Sequence, residues 1–180
     1  DALPILGLEE KETSAYIKSY LEKLGYEITP VFPTGMIAEL PELKKRKKTV
    51  VVRAEMDGLP MEEKTGLPYA SVNPGRMHAC GHDGHAAILL GTAGILKKHE
   101  KELSKKVFLV FQPAEETAQG AKLVLESGLL EDVKEIFGLH IFSGIEAGKI
   151  SLEAGPRMAA TDWFSIDIRG KSGHAGKPHL

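Results

Sequence analysis

The sequence predicts an α/β fold in which a mostly parallel sheet is flanked by helices. Residues 49–54 and 107–111 are continuous apolar runs, which is typical of strands buried on both faces of a sheet. A helical pattern follows each of these runs, so the order of elements matches the strand–helix–strand units that build parallel sheets. We therefore expect helices on both faces of this sheet.

The remaining elements follow from local patterns. Ile17, Leu21 and Leu24 recur at helical spacing, which predicts an amphipathic helix over residues 9–24. A long loop is predicted over residues 59–75 by Pro60, Gly66, Pro68, Pro74 and Gly75. The other expected elements are strands at 27–32, 36–40 and 135–141 and helices at 86–98 and 118–126. The helix at 86–98 is apolar nearly all round, which predicts that it is buried.

Composition restricts the class of protein. The chain has 180 residues, of which 42% are hydrophobic and 27% charged, as is ordinary for a globular protein. A net charge of -2 gives no reason to expect nucleic acid or a membrane as partner. No apolar run approaches the roughly 18 residues of a membrane span. A single cysteine cannot form an internal disulfide, which favours a reducing, cytoplasmic location.

The pattern changes near the end of the chain. From Thr161 onward, polar and apolar residues alternate through Trp163, Phe164 and Ile166, which predicts a half-exposed antiparallel strand. We expect residues 1–156 to form an incomplete metal-binding catalytic domain and residues 157–180 to begin a second domain. Both ends of the sequence look cut, so we interpret the chain as a fragment of a longer protein.

The segment Met77–His85, with the sequence MHACGHDGH, is the most informative in the chain. It contains Cys80 and His82, and the pair Glu115–Glu116 and then His140 follow downstream. Thiolate, imidazole and carboxylate are the ligands of divalent transition metals. A carboxylate beside such a metal is the usual general base for hydrolysis. Cys80 and His82 are too close to share a helix face, so they converge on one metal only from a turn at Gly81.

The predicted strands place further candidates at one edge of the sheet. Asp57, the glutamate pair and His140 each follow a strand, and ligands gather at the carboxyl ends of parallel strands. Adjacent side chains of an extended chain point in opposite directions, so we expect one glutamate to bind metal and the other to face water. Asp57 suits the role of fixing the tautomer of a ligating imidazole. His78 and His85 are weaker ligand candidates.

Four segments of the chain stand out together: RAEMDGLP at 53–60, MHACGHDGH at 77–85, FQPAEE at 111–116 and GLH at 138–140. In this order they resemble the amidohydrolase branch of the aminoacylase/carboxypeptidase metallopeptidase family. This branch includes hippurate hydrolases, N-acyl-amino-acid amidohydrolases and auxin-conjugate hydrolases. The resemblance covers essentially the whole chain.

The resemblance implies a di-metal exopeptidase-like catalytic domain with an inserted α+β lid that also forms a homodimer. Two divalent ions are implied, zinc or manganese with cobalt as a further option. Their ligands correspond to Cys80, bridging both ions, and to His82, Glu116 and His140. Glu115 matches the general base. A last histidine ligand of the family would lie beyond residue 180.

The same resemblance implies a reaction and a role for the end of the chain. Residues 170–179 resemble the lid segment, in which His174 would reach a neighbouring subunit's site and stabilise an oxyanion. The implied reaction is hydrolysis of small N-acyl amino acids, of the hippurate or N-acetyl type, to a carboxylate and a free amino acid.

Three other readings are open from the residues alone. The chain could be a catalytically inactive, metal-dependent binding or regulatory fragment. It could be a structural zinc protein, although such sites usually have four Cys and His ligands in close pairs. It could also use Cys80 as a nucleophile paired with His82, although their spacing is awkward and the two glutamates would have no role.

Overall fold

The structure is a computed structural model that describes residues 6–162, 164–177 and 179. Within this part of the chain, five strands form one mixed sheet in the order β1-β2-β4-β3-β5. β1 and β2 form an antiparallel hairpin that pairs with the edge of a parallel three-stranded core. The strands are β1 (Glu27–Val31), β2 (Gly35–Glu39), β3 (Thr49–Glu55), β4 (Lys106–Gln112) and β5 (Val133–Gly138).

Helices cover both faces of the sheet. They are α1 (Lys11–Lys23), α2 (His82–Lys98) and α3 (Gly120–Glu126), and short 3-10 turns lie at Pro41–Leu43 and Glu100–Glu102. α1 and α2 pack on one face, where a buried cluster includes Leu21, Leu89 and Phe111. α3 packs on the opposite face, where its Val124 contacts the cluster that includes Val110. The predicted α/β fold with a sheet between helices is confirmed.

The alternation of side chains along a strand explains the two cores. Leu109 and Phe111 of β4 face α1 and α2, whereas Phe108 and Val110 face α3. Nearly every residue of this strand is therefore apolar, as the sequence predicts for a strand buried on both sides.

The connections bring the ends of three strands together. β3 leads through α2 into β4, and β4 leads through α3 into β5, which lies on the other side of β3. β4, β3 and β5 are consecutive neighbours and all run parallel. Their carboxyl ends consequently lie side by side, and each is followed by residues that the sequence marks as functional.

One expectation for α2 is wrong. The helix is not buried all round, because Ile88 is 44% and Ile95 64% exposed. Its inward face, which includes Ala86, Leu89 and Ala93, packs on the sheet and on α1. Among the described residues nothing covers the opposite face. None of the described helices is long and apolar enough to cross a membrane.

Residues 143–180 form a second unit, separate from the unit of residues 1–142. The strand predicted from Thr161 onward is not formed in the described residues, and Phe164 and Ile168 are largely exposed. A strand needs a hydrogen-bonded partner, and the described part of this unit supplies none to these residues. Trp163, which belongs to the predicted strand, and Pro178, in the lid-like segment, lie outside the described residues. The domain boundary at 156/157 stays a prediction for the whole protein.

Candidate metal centre

Gly81 makes the turn that the sequence requires between Cys80 and His82. Its φ of 98° lies in the left-handed region, where glycine has no steric cost, and it immediately precedes α2. The turn lets both neighbouring side chains face His140, which follows β5. The thiol sulfur of Cys80 and one nitrogen each of His82 and His140 all lie within 4.8 Å of one another. The structure therefore brings these three predicted ligands together.

His82 is oriented by Asp57. Its ring is 1% exposed, and its Nδ1 lies 3.1 Å from the Asp57 carboxylate and 3.0 Å from the Asp57 carbonyl oxygen. Both partners are acceptors, so Nδ1 carries a proton and donates it. Nε2 then points to the glutamates, 3.7 Å from Glu115 Oε2 and 3.8 Å from Glu116 Oε1. In the neutral ring this leaves the Nε2 lone pair free for a metal.

The contact between Asp57 and His82 shifts both groups towards their charged forms. Burial raises the pKa of Asp57, but hydrogen bonds from His82 and from the amides of Glu116 and Glu115 outweigh burial and lower it. Burial alone would lower the pKa of His82, but the hydrogen bond and the charge of Asp57 outweigh burial, so this pKa is raised. Asp57 Oδ2 also accepts the Glu116 N–H at 3.0 Å. Asp57 thus connects the end of β3 to the turn that carries both glutamates.

The turn that carries the glutamates is held by Glu10, a residue that no pattern in the sequence marks as functional. Ala114, in this turn, has a φ of 47°, which is uncommon for a residue other than glycine. Its N–H donates to Glu10 Oε1 at 2.9 Å, and the hydroxyl of Thr34 donates to the other oxygen of Glu10. Glu10 is fully buried. The carboxylate just before α1 therefore helps to determine where Glu115 and Glu116 lie.

The two glutamates differ in exposure, although they lie in a turn and not in the extended backbone expected from the sequence. The side chain of Glu115 is 41% exposed, and burial, together with the charge of Glu116, raises its pKa against the effect of His82. The Glu116 side chain is 23% exposed, but its Oε1 is buried without a hydrogen-bond partner among the described residues. A buried carboxylate oxygen without a partner is costly unless a cation or water satisfies it. Together with the neighbouring thiol and imidazoles, this oxygen fits a divalent metal ion.

Cys80 and His140 face each other across the site. His140 Nδ1 donates to the Ile141 carbonyl at 2.7 Å, and its Nε2 lies 3.3 Å from Cys80 Sγ. Burial and the nearby charge of Glu116 raise the pKa of the Cys80 thiol to about 11. A thiol of this kind is a poor nucleophile at neutral pH, which disfavours the reading of Cys80 as a catalytic nucleophile.

One further group of donors lies beside the metal centre. One donor atom each of Glu55, His82 and His85 lie within 4.8 Å of one another, and no pattern in the sequence singles out Glu55 as a donor. His85 Nδ1 lies 2.9 Å from Glu55 Oε2, and burial lowers the pKa of His85 despite that carboxylate. The position of Glu55, two residues before Asp57 at the end of β3, was the available signal.

Two further predicted residues lie outside these clusters. His78 belongs to none of the three donor groups found among the described residues. His174 lies in the second unit, where it is exposed and begins a turn whose Lys177 N–H donates to the His174 carbonyl at 2.8 Å. Its expected role in the active site stays a prediction.

An α/β sheet with thiol, imidazole and carboxylate donors at its carboxyl edge is an arrangement typical of metal-dependent hydrolases. Residues 51–178 match the model of Peptidase family M20/M25/M40, and the chain belongs to this family. The resemblance seen in the sequence motifs is thereby confirmed.

Curated relatives agree with this assignment. The chain is 46% identical over 177 residues to N-acetyl-L-cysteine deacetylase of Bacillus subtilis, covering 98% of this chain and 42% of the relative. It is 46% identical over 176 residues to IAA-amino acid hydrolase ILR1-like 4 of Arabidopsis thaliana, covering 97% and 40%. It is 39% identical over 180 residues to N-acyl-L-amino acid amidohydrolase of Geobacillus stearothermophilus, covering 99% and 48%. The chain thus spans less than half the length of these relatives.

Solved structures share the fold. The Bacillus subtilis YXEP protein, described as a dinuclear metal binding peptidase of the M20 family, matches with a TM-score of 0.75 and 44% identity. The match covers 79% of this chain and 40% of that one. A putative aminohydrolase of methicillin-resistant Staphylococcus aureus matches with a TM-score of 0.76 and 39% identity, covering 81% and 39%. The dinuclear neighbour supports the prediction that metal ions bind here.

Proposed function

We propose that the complete protein hydrolyses the amide bond of N-acyl amino acids to a carboxylate and a free amino acid. The observation that carries this proposal is the arrangement of Glu115 and Glu116 around His82. One carboxylate has a buried oxygen without a partner, which suits a metal ligand. The other is more exposed and has a raised pKa, which suits a proton carrier.

We assign the metal ligands of this chain to Cys80, His82, Glu116 and His140. Each imidazole has its Nδ1 committed to an oxygen acceptor and its Nε2 turned towards the other donors. When bound, two divalent ions lower the pKa of water and polarise a carbonyl oxygen. Thiolate and imidazole favour zinc, while the carboxylates leave manganese and cobalt as further candidates.

The chain's own residues move and hold the protons. Glu115 takes a proton from the attacking water and delivers it to the nitrogen of the departing amine. Asp57 keeps the proton of His82 on Nδ1, so that Nε2 stays available. In the complete protein, His174 of a neighbouring subunit stabilises the negative charge that develops on the carbonyl oxygen.

The substrate class is inferred from the relatives. Their names describe deacetylation of N-acetyl-cysteine, hydrolysis of an amino-acid conjugate and hydrolysis of N-acyl amino acids. We therefore propose small N-acyl amino acids, of the hippurate or N-acetyl type, as substrates. The complete protein is proposed to be a cytoplasmic homodimer that associates through its lid, in keeping with the free Cys80.

Hydrolysis of N-acetyl-methionine and hippurate by the complete protein tests this function. The protein is stripped of metal with a chelator, assayed, and assayed again after addition of zinc, manganese or cobalt. We expect activity only after a metal is restored. The Glu115→Gln variant should bind the same amount of metal and lose at least about 100-fold in kcat, within the range for a general base. A matched exchange at the exposed Glu12 should change neither property.

Two results would contradict the proposal. Hydrolysis that survives complete removal of metal would exclude metal dependence. It would favour the alternative in which Cys80 acts as a nucleophile. Metal binding by the complete protein with no turnover on any N-acyl amino acid would favour the binding or regulatory reading.

A further inference from the structure

Both ring nitrogens of His85 are occupied within the protein. The N–H of Ile141 donates to His85 Nε2 at 2.9 Å, and His85 Nδ1 lies 2.9 Å from Glu55 Oε2. A backbone N–H can only donate, so Nε2 must be the acceptor. The proton of the neutral ring is therefore on Nδ1, which donates to the Glu55 carboxylate. With the ring 1% exposed, neither nitrogen has a lone pair left for a metal ion.

Glu55 is itself held by a network of hydrogen bonds that connects two neighbouring strands to α2. Its second oxygen accepts a hydrogen bond from Arg53, and Arg53 Nε donates to Gln112 Oε1 at 3.0 Å. Glu55 is 4% and Gln112 5% exposed. This network of hydrogen bonds thus runs from the end of β4 through β3 to α2. It fixes His85 in position and in tautomer.

The hydrogen-bond network ends at the N–H of Ile141, in the backbone beside His140. β5 ends at Gly138, so the ladder of the sheet no longer holds Ile141. The Ile141 side chain packs against the start of α2, where a Cβ at Gly84 would lie only 2.5 Å from Ile141 Cδ1. The rings of His85 and His140 meet edge to face at 4.7 Å between centroids.

We propose that His85 is a positioning residue that accepts the Ile141 N–H, fixes the backbone beside His140, and so holds the His140 ring against Cys80. His85 itself binds no metal. This role rests on the proposed function, because it matters only where His140 serves as a ligand. Under this role Glu55 and His85 support the metal centre, and the Glu55–His82–His85 group is not a metal site of its own.

Variants of His85 in the complete protein separate positioning from ligation. His85→Leu removes the acceptor of the Ile141 N–H, whereas His85→Gln offers a side-chain oxygen in its place. The exposed His99, at the end of α2, provides the matched control His99→Leu. Cobalt titration reports affinity and the absorption of the cysteine-bound ion, and amide hydrogen exchange reports the protection of the Ile141 N–H.

We expect His85→Leu to bind cobalt about 10- to 100-fold more weakly at one site, as is typical when a partner of a ligand is lost. Exchange of the Ile141 amide should become faster in the same variant. His85→Gln should restore much of both properties, and His99→Leu should match the wild type. Unchanged cobalt affinity in a folded His85→Leu protein would overturn the role of His85. Failure of the wild type to bind cobalt, zinc or manganese would instead overturn the proposed function.

A measurement on the wild type covers the case in which His85→Leu does not fold. The 15N chemical shifts of the histidine rings distinguish a protonated nitrogen, a free one and one bound to zinc. On addition of zinc, we expect the shifts of His82 and His140 to change to those of ligands. His85 should keep its proton on Nδ1 with no zinc-bound nitrogen. A zinc-bound shift at His85 would make it a ligand and refute the positioning role.

Discussion

The buried carboxylate of Glu10 accepts the N–H of Ala114 at 2.9 Å, although the two residues are 104 positions apart. This bond joins the start of α1 to the turn after β4. Ala114 is followed directly by Glu115, so the first helix of the chain supports the turn that carries the two glutamates.

Replacement of Glu10 by alanine should destabilise the fold and impair the site. The N–H of Ala114 and the hydroxyl of Thr34 would both lose their buried acceptor. We expect a loss of about 1–3 kcal/mol in the free energy of unfolding, measured with urea. Glu12→Ala, at an exposed position of α1, should change it little. Equal stabilities of the two variants would contradict this account of Glu10.

Replacement of Asp57 by asparagine should weaken metal binding while the fold is retained. Asparagine would present its NH2 group to His82 Nδ1 once its oxygen accepts the Glu116 N–H. The Nδ1 proton of His82 would then keep only the Asp57 carbonyl oxygen as acceptor, which favours the tautomer with its proton on Nε2, the nitrogen assigned to the metal. We expect about 10- to 100-fold weaker binding of zinc or manganese by calorimetry. Asp83→Asn, exposed on the first turn of α2, serves as control, and equal affinities in both variants would rule out this role.

Tyr26 predicts how stability depends on alkaline pH. Its hydroxyl donates to the Ala93 carbonyl of α2 at 2.9 Å, and burial, aided by the charge of Glu100, raises its pKa above the ordinary value near 10. Because the folded pKa is the higher one, this stability is fully present below about pH 10 and is lost as pH rises towards the folded pKa.

Replacement of Tyr26 by phenylalanine tests this dependence. The variant should lose about 1 kcal/mol of unfolding free energy at neutral pH, the net value of one hydrogen bond. Its stability should also fall less steeply above pH 10 than that of the wild type. Tyr16→Phe, at a position that is 66% exposed, should do neither. Parallel pH profiles for wild type and Tyr26→Phe would contradict the prediction.

Gly120 has no room for a side chain. A Cβ at this position would lie 1.5 Å from the Pro113 carbonyl oxygen, which is rigid backbone of the glutamate-bearing turn. We expect Gly120→Ala to cost about 3 kcal/mol or more, measured by thermal or urea unfolding. Gly91→Ala in α2 meets no atom within 4 Å and should instead gain about 0.5–1 kcal/mol. Similar effects of the two substitutions on stability would contradict the prediction, because they would show that the backbone of the turn moves to make room for a Cβ.

The sequence predicted the parts of the site that depend on topology. Asp57, Glu115 and His140 each follow an apolar strand, and parallel strands bring such residues to one edge. The support by Glu10 and the Glu55–His85 pair could not be predicted in this way. Their contacts join residues 104 and 30 positions apart and follow no periodic pattern. Exposure of the outer face of α2 also depends on what packs there, which its apolar composition does not reveal.

The exposed character of β5 has a consequence for the kinetics of ligand exchange. Among the described residues β5 pairs only with β3, and its residues after Val133 are all exposed. A strand with so few buried contacts opens locally at a lower free energy than the core strands do. In this chain, fraying of β5 therefore frees the backbone on one side of His140 without unfolding of the rest, while the Ile141 N–H on its other side stays bonded to His85. By the same linkage, any ion bound there slows fraying of β5 and protects its amides.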